Sequence, residues 1–257
     1  VSRIGQCRMS AIVKKSFGPF VDRHGLSPYT DPSAPVVFYG LYTPDDAQAL
    51  SRHKGLAIVL WRGSDIMKFP PTALKVMTKP NVRHLAISSF IQDDLAKANV
   101  PCKVVPIVGS DMNGFSPTPL GSEIYAYAPK TKPKFYRQDL LDRVVERCGF
   151  GVNVVESPYQ FDRVALRGIY ERCFLGIRLT PHDGIANSVV ELGLMGRRSI
   201  YNGGQPSAIP WGGLDDILTA IQVESKRVGQ VDHEMARAVF DYINVGESWL
   251  TTEYWDA

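Results

Sequence analysis

Glutamate is missing from the first 116 residues of this 257-residue chain, where 14 Lys and Arg face 8 Asp. Residues 117–257 reverse the balance with 15 Lys and Arg against 18 Asp and Glu, so +6 and −3 sum to the net +3. Such asymmetry fits two domains facing different partners. A basic half suits an anionic acceptor such as DNA, and equally suits a plain solvated surface. Cysteine is sparse: Cys7, Cys102, Cys148 and Cys173 form no C-x-x-C pair, which excludes a zinc ribbon or disulfide framework and points to reduced thiols. No apolar run approaches the roughly 20 residues of a membrane span, although peripheral membrane contact stays open. The opening VSRIGQCRMS has no apolar signal region, so a cytoplasmic setting is expected. His24, His53, His84 and His233 lack ligand spacing and no Asp-x-Asp occurs, so no protein metal site is expected. Absence of G-x-x-x-x-G-K-[ST] and of G-x-S-x-G disfavours a P-loop ATPase and an α/β-hydrolase.

What is present is strand–helix alternation. Residues 1–34, rich in turn residues, read as an irregular arm. Continuous β-branched runs at 35–42, 55–61, 83–88 and 102–108 predict strands buried on both faces. Between them Pro44–His53, Thr72–Thr78 and Ser89–Asn99 predict helices. GSDMNGFSPTPLG (109–121) breaks every periodicity and reads as a hinge between an N-terminal domain, 1–116, and a C-terminal domain, 117–257. A second alternation follows, with strands at 123–129, 151–157, 174–180 and 197–202. Its helices are expected at 136–149, 161–173, 187–196 and 214–229. The tail 232–257 holds one more helical stretch and the aromatics Trp249, Tyr254 and Trp255, an expected anchor back to the N-terminal domain. The fold class is therefore α/β, with two Rossmann-like parallel sheets whose strand ends face a ligand cleft.

The segment GIRLTPHDGIANSVVELGLMGRRSIYNGG (176–204) carries the most chemistry. A buried strand ends at Thr180, a Pro-His-Asp-Gly loop follows, and a largely apolar helix opens at Asn187–Ser188. Open N–H groups at a helix start suit a phosphate. Gly184 lets an anion approach, Asn187 and Ser188 add donors, and Glu191 could accept two ribose hydroxyls. The competing reading is a capping box, Ser188-x-x-Glu191, with Glu191 folded back on the cap.

Asp183-x7-Glu191, followed by LGLMGRRSI, resembles the acidic-x7-Glu signature of retaining GT-B glycosyltransferases of family 4. VVPIVGSDMNGFSP (104–117) is similar to that family's interdomain phrase, and ISSFIQDDL (87–95) to the helix before it. The resemblance covers roughly residues 83–230. It departs at the first acidic position, Asp183 instead of Glu, and at Arg198-Ser199-Ile200, where the family has Pro-Val. The N-terminal domain looks reduced, without the family's opening strand and Gly-rich acceptor loop.

The resemblance implies a sugar transfer from a nucleotide diphosphate donor to a hydroxyl acceptor, with retention and with no cofactor beyond the donor. The acceptor would be a glycan, a lipid-linked saccharide or a hydroxylated DNA base, DNA being the less favoured. It places Glu191 on the donor ribose, the Ser188 and Val189 amides on the diphosphate, and Asp183 and Gly184 near the donor sugar. A basic residue after the first strand of the C-terminal domain would neutralise the diphosphate, which points to Lys130 or Lys134. Arg178 could join them or pair with a structural carboxylate, and His182 is a sugar contact or an exposed loop residue. Arg62 and Asp65, at the end of a buried strand, could touch phosphate or acceptor, or simply shape a turn. Asp183 and Asp65 are thus the candidate catalytic carboxylates. A non-catalytic nucleotide-sugar-binding scaffold and a GT-B-fold sugar-nucleotide epimerase remain alternatives.

Overall fold

The computed structural model describes residues 3–69, 78–157 and 161–256. The chain divides into two units. Unit 1 comprises Val1–Asp111, Asp183–Ile185 and Asn244–Ala257, and unit 2 comprises Met112–His182 and Ala186–Ile243.

Unit 1 is built on a six-stranded sheet of β1 (Gln6–Arg8), β2 (Ser27–Pro28), β3 (Val36–Tyr39), β4 (Ala57–Trp61), β5 (Val82–Ala86) and β6 (Lys103–Val104). The order is β2-β1-β3-β4-β5-β6 and every pairing is parallel. All residues of β3 and β4 are buried, which is why those strands read as unbroken apolar runs. Helices α1 (Ala11–Arg23), α2 (Pro44–Arg52) and α3 (Ser89–Lys97) supply connections. At α2, Pro44 opens the helix and Thr43 and Asp46 form a reciprocal capping box.

The N-terminal arm expected over residues 1–34 is instead β1, α1 and β2. Gly18-Pro19 hides the helix in the sequence, yet Val13, Phe17, Phe20 and Val21 recur at helical spacing and all are buried. The opening strand also exists: β1 lies between β2 and β3, and three residues are too few to show a period. Pro101 precedes and Pro106 interrupts the expected strand 102–108, which shortens to Lys103–Val104. The helix expected at Thr72–Thr78 falls, but for Thr78, outside the described residues.

Unit 2 has five parallel strands, β7 (Glu123–Tyr127), β8 (Val152–Val155), β9 (Cys173–Ile177), β10 (Arg198–Ile200) and β11 (Ala208–Ile209), in the order β11-β10-β9-β7-β8. Its helices are α4 (Gln138–Arg147), α5 (Arg163–Glu171), α6 (Asn187–Leu194), α7 (Leu214–Ser225) and α8 (His233–Ile243). The two-residue β11 was not foreseen. Reading from β8, the order is that of a doubly wound sheet whose direction of winding reverses between β7 and β9. Ligands of open α/β sheets bind beyond the carboxyl ends of the strands at such a reversal.

After α8 the chain rejoins unit 1. Trp249, Leu250 and Trp255 belong to its core, and Trp249 stacks on Phe20 with ring centroids 6.1 Å apart. The Ile4 N–H donates to the Leu250 carbonyl at 2.8 Å, and Trp255 Nε1 donates to the Trp249 carbonyl at 2.9 Å. A large side chain so enclosed leaves a cavity when cut back. Trp249→Ala is expected to lower unfolding stability by about 3–5 kcal/mol, measured by denaturant titration.

Candidate functional site

In unit 2 the reversal point gathers a cation and two aromatic rings. Arg178 directly follows β9, and its N–H donates to the Ile200 carbonyl at 3.0 Å, which fixes its backbone to β10. Its guanidinium carbon lies 4.8 Å from the ring centre of Tyr127, the last residue of β7, and 5.6 Å from that of Tyr136. A guanidinium held on ring faces keeps its charge and its planar donors in place. Lys130 is exposed and pairs with Glu156 at 2.5 Å, and Lys134 is exposed. Of the three cations named from sequence in unit 2, only Arg178 has such ring contacts.

Helix α6 begins at Asn187, with Ala186 as its cap residue and no side-chain capping bond. Ser188 is therefore inside the helix, and the capping-box reading of Ser188 and Glu191 does not describe this structure. Instead, Glu191 is buried and its Oε2 accepts from the Tyr170 hydroxyl at 2.8 Å. Burial pushes the Glu191 carboxyl up to about 7, against the opposing pull of the Tyr170 hydrogen bond and of Arg163. Tyr170, on α5, is fully buried, edge-to-face with Tyr125 and 6.0 Å from Phe115. Phe115 is the aromatic of the motif at 104–117, so the two sequence motifs meet physically through Tyr170. The Val189 N–H, expected on a diphosphate, donates to the Ala186 carbonyl at 3.0 Å in this structure. At a helix start the N–H groups of Asn187 and Ser188 precede the intrahelical ladder. Asn187 is exposed and Ser188 half-buried, as ligand contact requires.

One residue that sequence reasoning passed over organises this region. Arg197 is fully buried and faces six main-chain carbonyls. Its Nε donates to Tyr170 and Cys173 at 3.1 Å each, Nη1 to Thr118 at 3.1 Å and to Met195, and Nη2 to Pro119 at 2.7 Å and Glu171 at 3.3 Å. Tyr170, Glu171 and Met195 lie at the carboxyl ends of α5 and α6, where helix dipoles favour a cation. Burial still lowers the Arg197 pKa, to about 10, so the group stays charged at neutral pH. Thr118 and Pro119 come from the stretch read as a hinge. Leu120 also makes two main-chain bonds nearby, donating its N–H to the Gln230 carbonyl and accepting from the Gly229 N–H, both at 2.8 Å. Residues 112–121 thus form an integral part of unit 2.

In unit 1, Asp65 is fully buried and its Oδ1 accepts the N–H groups of Arg62 at 3.0 Å and Gly63 at 2.8 Å. That carboxylate closes the turn after β4. Burial raises its pKa despite those bonds. The Arg62 guanidinium carbon lies 3.5 Å from the Phe17 ring centre. Asp183 and Gly184 belong to the same unit: Ser88 Oγ donates to the Asp183 carbonyl at 3.1 Å, and a Cβ on Gly184 would sit 2.2 Å from the Arg62 carbonyl. Glycine is thus required at 184 by close packing on the turn. His182 is half-buried in unit 2. Among the described residues no three His, Cys, Asp or Glu side chains cluster as metal ligands.

Besides Arg197, Tyr170 and Thr180 were missed. Thr180, fully buried two residues beyond Arg178, has a hydroxyl with no hydrogen-bond partner among the described residues. Nothing in the local sequence marks Tyr170 or Arg197, since their roles arise from contacts across α5, α6 and residues 118–119.

No protein-family model matches the sequence, and no curated protein does. Solved structures do match. Sucrose-phosphate synthase from Thermosynechococcus elongatus is similar at 10% identity with a TM-score of 0.54, over 92% of this chain and 74% of that one. TarM from S. aureus, solved with Fondaparinux, alpha-GlcNAc-glycerol and UDP, is similar at 11% identity with a TM-score of 0.57. There the match covers 92% of this chain and 57% of TarM, so this chain spans little more than half of that protein's length. The fold is accordingly a reduced GT-B fold with two parallel-sheet α/β domains.

Two outcomes are expected. Arg197→Lys cannot fork to carbonyls of several segments, and should cost at least about 3 kcal/mol in denaturant unfolding. For Glu191, the folded carboxyl holds its proton more tightly than the unfolded one, whose ordinary value is 4.5. Its contribution to stability is complete below that value and is lost as pH rises through about 7. Glu191→Gln should therefore gain on the parent protein across this window, by on the order of 3 kcal/mol, in melting curves recorded along a pH series.

Proposed function

We propose that this chain is a glycosyltransferase that moves a sugar from a nucleoside diphosphate donor to a hydroxyl acceptor, with retention at the anomeric carbon. The observation that carries this is the buried Glu191 carboxylate one turn into α6, held by Tyr170 instead of by its own helix cap. A carboxylate on the helix after the β7–β9 reversal is suited to accept ribose hydroxyls. In this reading the start of α6, at Asn187 and Ser188, takes the diphosphate. Arg178, with Lys130 and Lys134 nearer the surface, offsets the charge that develops as the sugar–phosphate bond breaks. No metal is needed for that stabilisation, and turnover is expected to persist in EDTA. His182 serves the donor sugar. Arg62 contributes charge on the acceptor side, whereas Asp65 is assigned to its turn. TarM's structure holds UDP, which makes UDP the first nucleotide to test. The acceptor class is a saccharide or another hydroxyl compound.

Calorimetry with UDP and GDP tests the reading. The parent protein should bind one of them, and Glu191→Ala should weaken binding by roughly 10- to 150-fold, the loss of a charged hydrogen-bond acceptor. Ribose hydroxyls need the ionised carboxylate, so parental affinity should rise as pH climbs through about 7 and be flat in the variant. Unchanged affinity in the variant, with only a shifted melting temperature, would overturn the assignment. Radiolabelled donor then separates the classes: sugar release to water or acceptor marks a transferase, interconversion of the donor an epimerase, and binding alone a scaffold.

A further inference from the structure

Unit 1 contains a cavity of about 370 Å³ beside β5 and β6, on the side where those strands begin. That is the opposite end of the sheet from Arg62 and Asp65. One wall is His84, on β5, which is only 4% exposed. Trp61 Nε1 donates to His84 Nδ1 at 3.0 Å. An indole N–H can only donate, so Nδ1 is the acceptor and the neutral imidazole carries its proton on Nε2. Burial pushes the His84 pKa down to about 4, which keeps the ring neutral. Among the described residues His84 Nε2 has no hydrogen-bond partner. A buried donor without an acceptor is uncommon, and this one belongs to a residue of the cavity wall.

The rest of the lining supplies charge and an apolar surface. Lys79, Arg83 and Lys103 border the cavity, and the described lining includes no Asp or Glu. Each cation bonds main-chain carbonyls: Lys79 Nζ to Ser51 at 2.6 Å, Arg83 Nη1 to Pro80 at 2.7 Å, and Lys103 Nζ to Tyr254 at 2.8 Å. Among the described residues none of the three has a carboxylate partner, so their charge is held in place but not neutralised. Cys102, half-buried, and Trp255 complete the wall with polarizable and aromatic surface. The volume falls in the range of small-molecule sites. We propose that this cavity binds an anionic amphiphile, whose carboxylate or phosphate accepts from His84 Nε2 among the three cations while its apolar body lies against Trp255.

Cys102 is a built-in reporter, because the other three cysteines are buried. Its alkylation by iodoacetamide, followed by peptide mass spectrometry on the full chain, is measured with octanoate, octyl phosphate or octanol. The anionic compounds should slow alkylation about tenfold at saturation, and octanol at equal concentration should not. Octyl phosphate should also shift the His84 Nε2 resonance in protein labelled with nitrogen-15 histidine. The double variant Arg83→Gln, Lys103→Gln, altered only at the cavity rim, should need about tenfold more octyl phosphate for the same protection. Vesicles of phosphatidylcholine with and without phosphatidic acid identify the source. Protection by the acidic vesicles marks a lipid headgroup, and protection by soluble compounds alone marks a free metabolite. Equal protection by octanol, no protection by any compound, or full protection of the double variant would each overturn the proposal.

Discussion

A cation buried without a carboxylate is the constraint on which unit 2 depends. Among the described residues Arg197 has no acidic partner in hydrogen-bond reach, and six carbonyl dipoles from four segments supply the compensation. Because three of those carbonyls lie in the last turns of α5 and α6 or just beyond, the guanidinium fixes where both helices stop relative to each other. Tyr170 contributes its carbonyl to Arg197 and its hydroxyl to Glu191. The carboxylate's position is thus set by an arginine with which it shares no hydrogen bond. Phe115, packed on Tyr170, ties residues 112–121 to the same arrangement.

The two acidic side chains buried near strand ends illustrate how one chemical group takes different roles. Asp65 turns its carboxylate inward, closing a turn with two main-chain N–H groups. Glu191 receives one hydroxyl from Tyr170, and burial raises its proton affinity into the neutral range. Asp65 is held by main-chain donors of its own turn, whereas Glu191 has one neutral hydroxyl donor among the described residues.

Much of this was legible from the sequence. Strands buried on both faces announce themselves as apolar runs, so β3, β4, β5, β7 and β9 were found near their true positions. Helix α2 was legible because Thr43, Pro44 and Asp46 are a start signal in themselves. Helix α1 was not, because Gly18-Pro19 outweighs by local propensity a period that only tertiary packing reveals. β1, β6 and β11, at two or three residues, have no period to read. In the site, the residue types and spacing of Ser188 and Glu191 could not separate a capping box from a ligand carboxylate. The structure shows Glu191 bonded to Tyr170, 21 residues away, and not folded back on its helix cap, and no local pattern contains that partner.

The return of residues 244–257 to unit 1 bears on how the protein is made. Arg3 and Thr251 form an antiparallel bridge, and Trp249, Leu250 and Trp255 fill a core whose other buried members lie before residue 112. During synthesis the earlier-made unit therefore stays incomplete until the ribosome has released the later residues. Unit 2, which apart from Asp183–Ile185 is drawn from 112–243, has all its strands available sooner. The half of the chain that emerges first is thus the half that finishes folding last, and until then its sheet leaves apolar surface for chaperones to shield.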